Sequence, residues 1–193
     1  MKKIAYIIPG HGESHKRQSG YNKVADMFRE RGIQPIHVEI NWQVKKPQPF
    51  EKHVKQFLKK YKKPRNARVY VLGFSFGAII AFLSEPKTKP TAIILCSLSP
   101  YFKEDIPKLP KSWSRWWNKN YPNSEYSFTE LAPRIKTKTL MVAGDKEGPE
   151  VDRKMKVAKR LIKKSSLITA TGAKHRIGQK KYLIGVKKVI DKL

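Results

Sequence analysis

The 193-residue chain has a single cysteine, Cys96, so no intramolecular disulfide can form, and a reducing compartment suits it. It also lacks any apolar run near the roughly 20 residues that span a bilayer. The longest candidate, around Phe74 to Leu83, contains Ser75 and Gly77, so no transmembrane helix is expected. Lys2 and Lys3 precede a short apolar run, but Pro9 and Gly10 close it before a signal-peptide core develops. That run reads as a first strand, and the expected location is the cytoplasm. The histidines and Cys96 do not stand at metal-ligand spacing with carboxylates, and neither a metal nor another cofactor is expected. With no internal repeat and no dividing linker, residues 1–193 read as one domain.

Acidic residues are scarce: 15 Asp and Glu stand against 42 Lys and Arg, a formal charge of +27. A charge of this size attracts nucleic acid, anionic membrane surfaces or acidic proteins, so nonspecific polyanion binding is an expected property. Arg, which reads bases and phosphates bidentately, supplies few of these charges, and Lys is scattered over nearly every segment. That distribution favours a solvated basic surface over a dedicated interface.

Hydrophobic residues make up 39% of the chain, enough for a sizeable core. Lys3 to Pro9 is a short apolar strand, and Tyr21 to Arg31 follows with Val24, Met27 and Phe28 on one helical face, ended by Gly32. Pro35 to Ile40 predicts a strand and Phe50 to Tyr61 a helix turning Val54, Phe57, Leu58 and Tyr61 inward. The alternation continues with strand Arg68 to Leu72, helix Phe76 to Ser84, strands Thr91 to Ser97 and Thr137 to Ala143, and helix Val151 to Lys163. Ser166 to Ala170 and Lys181 to Leu193 complete it. Strands alternating with amphipathic helices imply an α/β fold: a three-layer sandwich with a mostly parallel sheet of about six strands, covered by helices on both faces. Residues 100–133, rich in Trp, Tyr, Pro and Asn, interrupt the pattern as a cap-like excursion.

The strongest local signal is Gly73-Phe74-Ser75-Phe76-Gly77, directly after the strand ARVYVL and directly before the apolar helix AIIAFL. Out of context the pentapeptide is a glycine-rich strand end. Between a strand and a helix it resembles the nucleophile elbow G-x-S-x-G of the α/β-hydrolase superfamily, in which small residues flank a strained serine presented above the sheet. The resemblance covers nearly the whole chain and implies the chain order nucleophile, acid, histidine. It implies that Ser75 is the nucleophile and that His175, in the loop after strand SLITA, is its base. The acid falls in Gly144-Asp145-Lys146-Glu147-Gly148-Pro149, where Gly144-x-x-Glu147 matches the family's G-x-x-D spacing with Glu in place of Asp; Asp145 is the alternative. His37 in a strand, His53 on a basic helix and His15 in a polar loop are weaker candidates.

The first strand ends in Pro9-Gly10-His11-Gly12-Glu13-Ser14, which resembles the family's first strand-to-helix loop. There the backbone amide of His11 is the candidate oxyanion donor, joined by that of Phe76 after the nucleophile; otherwise the loop is a glycine turn with a polar helix start. Trp113, Trp116 and Trp117 fall at helical spacing near Tyr101 and form either an apolar acyl site or the packing of a small helix. The expected activity is hydrolysis of a carboxylic ester or similar small acyl substrate through an acyl-enzyme. Thioester, lipid or amide hydrolysis uses the same groups, and a non-catalytic polyanion-binding module on a hydrolase scaffold is the alternative from another class.

Overall fold

The computed structural model describes residues 1–43 and 46–193. Strands and helices alternate: β1 (Lys3–Ile8), α1 (Ser19–Glu30), β2 (Gln34–His37), α2 (Glu51–Lys60), β3 (Arg68–Phe74), α3 (Phe76–Thr88) and β4 (Ala92–Cys96). The excursion then contributes α4 (Lys111–Asn120) and α5 (Phe128–Leu131), before β5 (Lys138–Gly144), α6 (Pro149–Leu161), β6 (Ser165–Ala170) and α7 (Lys180–Ile190). The strands form one six-stranded sheet in the order β2-β1-β3-β4-β5-β6, and every neighbouring pair is parallel.

Parallel strands covered on both faces must be apolar on both, and β3, β4 and β5 are buried almost throughout. Alternation divides their side chains. Val69 and Val71 of β3 join a cluster with α2, α3, α6 and the excursion. Tyr70, Leu72 and Phe74 join a second cluster with α1 and α7. The strand order reverses between β1 and β3, and the crevice beyond the carboxyl ends of such a pair is where open α/β sheets bind ligands.

Several elements begin or end a few residues from the sequence expectation, β2 and α3 among them. β2 ends at His37 rather than Ile40, because it is an edge strand; after the Val38 amide donates to Ile7 the chain leaves the sheet, and Ile40 and Trp42 bury against the α2 side. α3 runs past Ser84 through Pro86 to Thr88. A proline in the last turn removes only one helical hydrogen bond, and the Thr88 hydroxyl donates back to the Ser84 carbonyl at 2.9 Å. The excursion is pinned from below by Lys154 of α6, which is 2% exposed, ion-paired to Asp105, and 4.1 Å from the Phe128 ring centroid. No helix among the described residues is long and apolar enough to cross a membrane.

Candidate active site

Ser75 occupies the turn between β3 and α3 with φ 56° and ψ −117°, a conformation costing about 1–3 kcal/mol that persists only when its surroundings enforce it. They do so by close approach. A Cβ on Gly73 would lie 2.1 Å from the Gly77 carbonyl oxygen, and one on Gly77 would lie 2.3 Å from that of Ile8 in β1. The Ser75 amide donates to the Cys96 carbonyl at 2.8 Å, tying the turn to β4. Backbone crowding on both sides therefore explains both glycines of the motif.

The serine oxygen lies 3.0 Å from His175 Nε2, and His175 Nδ1 lies 2.6 Å from Glu147 Oε2. An ionised carboxylate only accepts, so Nδ1 carries the proton and Nε2 is left to accept from the serine hydroxyl. The Glu147 side chain is fully buried and held at its other oxygen, which accepts from the Gly144 amide and, at 2.8 Å, from the Ser97 hydroxyl. Asp145 does not reach His175. Its carboxylate accepts from the Gly172 amide at 2.7 Å and fastens two neighbouring loops.

Ser75 opens into a cleft of about 390 Å³, walled by His11 and Phe76 on the sheet side and by Tyr101, Trp113 and Trp116 from the excursion. Neither the His11 nor the Phe76 amide has an acceptor among the described residues. The His11 loop is braced by Tyr21, whose hydroxyl accepts from the Gly10 amide at 2.8 Å and donates to Glu13. The His11 ring stacks edge-on against Phe76 and Trp116, each 5.2 Å away, and burial lowers its pKa. Trp117 corrects the expectation for the tryptophan group. It is 1% exposed and packs on Phe50, Tyr101 and Tyr121, because one residue beyond Trp116 the helix has turned it inward; it is absent from the cleft wall.

Compared with known proteins, the chain matches no family model and no curated sequence. Solved structures do match it. MGS-MChE2, an α/β hydrolase from the metagenome of lagoon sediments of Mar Chica, Morocco, superposes with TM-score 0.66 at 20% identity, over 91% of this chain and 83% of that one. The esterase EaEST of Exiguobacterium antarcticum gives 0.70 at 12% identity, over 98% and 91%. The thioesterase domain of the curacin biosynthetic pathway gives 0.68 at 14% identity, over 98% and 91%. The chain has the α/β-hydrolase fold.

Within this α/β-hydrolase fold the strand order, rather than proximity in sequence, brings the groups together: Ser75 and His175 are 100 residues apart. Three polar groups went unmarked in the sequence. Ser99 lies 3.0 Å from the Ser75 oxygen, and Ser97, with φ 51°, joins Glu147 to the buried Tyr182 hydroxyl. For Ser97 and Ser99 the available signal was their place just beyond β4, at the carboxyl edge where sheets of this kind bind ligands; Tyr182, within α7, carried none. The Cys96 thiol is buried and its pKa pushed up by desolvation, a core setting that disfavours the thiolate. No group of three or more metal-ligating side chains converges among the described residues.

Proposed function

We propose that the protein is a serine hydrolase that cleaves carboxylic esters through an acyl-enzyme on Ser75. The relay Ser75–His175–Glu147 carries this reading, because nucleophile, base and orienting carboxylate stand at hydrogen-bond distance in a cleft open to a small substrate. The fold shared with an esterase and a thioesterase supports hydrolysis as the reaction class.

His175 Nε2 takes the Ser75 proton as the serine oxygen bonds to the ester carbonyl carbon. The carbonyl electrons move to oxygen, where the amides of His11 and Phe76 stabilise the charge; one such donor is worth roughly 3 kcal/mol in the transition state. Collapse of the tetrahedral intermediate breaks the bond to the alcohol oxygen, which receives the proton from His175. Water, deprotonated by His175, then repeats the attack on the acyl-serine and releases the acid. Aromatic walls suit an apolar acyl group, and a thioester would follow the same steps with a thiol leaving.

The deciding experiment is a fluorophosphonate probe on the purified chain, with the adduct located by peptide mass and Ser75→Ala run beside it. Labelling confined to Ser75 is expected. A folded protein that neither labels nor turns over activated esters overturns the proposal.

A further inference from the structure

A second groove, of about 790 Å³, adjoins the cleft and shares Glu13 and His175 with it. Arg17 and Gln18 reach it from the segment before α1, and Lys174, Arg176 and Gln179 from the segment before α7. The two segments meet because Gly20 faces Gly178: a Cβ on Gly20 would lie 2.6 Å from the Gly178 Cα, so a side chain there would push them apart.

The groove is basic in a way that its neighbours do not cancel. Among the described residues, Arg17, Lys174 and Arg176 pair with no carboxylate. The one carboxylate of the groove, Glu13, accepts from the Tyr21 hydroxyl and the Gln18 side-chain amide, and its single charge leaves the three cations in excess. Among the described residues the Ser75 cleft has aromatic walls and no lysine or arginine, so an anionic substituent finds its complement in the adjoining groove. Position assigns the substituent to one side of the substrate. His175 delivers the proton to the leaving oxygen, so a groove touching His175 receives the alcohol or phenol portion.

We propose that this groove is an anion subsite for the leaving group, making esters whose alcohol or phenol carries a carboxylate or phosphate the preferred substrates. The inference rests on the Ser75–His175 reading above. Guanidinium forks bind either anion bidentately, and an attraction worth a tenfold preference corresponds to about 1.4 kcal/mol.

The test compares kcat/KM for 4-acetoxybenzoate and 4-acetoxyphenyl phosphate with that for neutral methyl 4-acetoxybenzoate, each normalised to its alkaline hydrolysis rate. Fluorophosphonate labelling of Ser75 is run on the same preparation. The expected result is a preference of about tenfold for at least one anionic ester, which falls toward unity in Arg17→Gln/Arg176→Gln and in about 0.5 M salt. The larger of the two preferences identifies the head group. Arg153→Gln/Arg160→Gln, which removes the same charge from α6, should keep the preference. Labelled enzyme with no anionic preference overturns the subsite and leaves the hydrolase reading standing. Equal loss in both double variants also overturns it, by tracing the preference to overall charge. Absence of both labelling and turnover removes the hydrolase reading itself.

Discussion

The hydroxyl oxygen of Ser99 lies 3.0 Å from that of Ser75, and His175 Nε2 lies at the same distance on the other bond. Ser75 has one proton to give. When it points to His175, Ser99 must be the donor to Ser75, and both contacts then fix the serine oxygen in one orientation. Ser99→Ala therefore should lower kcat about fivefold, the equivalent of about 1 kcal/mol for one neutral hydrogen bond, with KM and the pH profile unchanged. Steady-state kinetics on an activated ester read this directly. An unchanged kcat would show that His175 alone orients the nucleophile.

The two carboxylates of the β5 loop should separate by the kind of damage their loss causes. Glu147→Gln removes the charge that holds the imidazole in the required tautomer, and kcat should fall about a thousandfold with stability nearly kept. Asp145→Ala removes the acceptor for the Gly172 amide; it should cost about 1 kcal/mol in urea unfolding and change kcat less than threefold. The reverse pattern would assign the orienting role to Asp145.

These assignments also mark what could be read from residues alone. Gly73 and Gly77 are conspicuous because backbone crowding forbids any other residue, so the geometry leaves its mark in composition. The parallel sheet of about six strands follows from apolar runs alternating with amphipathic helices, whereas its strand order is visible only in the structure. Glu147 and Asp145 stayed open because both lie in one loop; what separates them is the contact of Glu147 with His175, 28 residues on, and the grip on Glu147 of the Ser97 hydroxyl, 50 residues back. Ser97 and Ser99 form no pattern, since a lone serine looks alike on a surface and beside a nucleophile. Trp117 needed the rotation of α4 about its axis, which spacing alone leaves undetermined.

The tryptophans of α4 should accordingly divide. Trp113 and Trp116 are 42% and 37% exposed and line the cleft, whereas Trp117 is buried. Trp113→Ala/Trp116→Ala should leave the urea midpoint nearly unchanged while lowering kcat/KM for aryl and medium-chain acyl esters about tenfold relative to acetate. Trp117→Ala should cost about 3–5 kcal/mol in unfolding free energy by leaving a cavity under the excursion. An acyl-chain profile that ignores the first pair would remove them from the substrate site.

His53 supplies a pH dependence of stability. The ring is fully buried between Trp42, Phe50 and Tyr121, and its Nε2 has no partner among the described residues. Desolvation, with a smaller repulsion from His11, lowers its pKa from 6.5 to about 4. The unfolded chain therefore binds more protons than the folded one between these values, so stability is intact above pH 6.5 and is lost as pH falls toward 4. The loss attributable to this one ring should reach about 2 kcal/mol. His53→Phe, which keeps a ring in the same aromatic site and cannot take a proton, should flatten that part of the curve. Urea unfolding of both proteins at closely spaced pH values across the window measures the difference in slope; parallel curves would mean that the acid loss comes from the carboxylates instead.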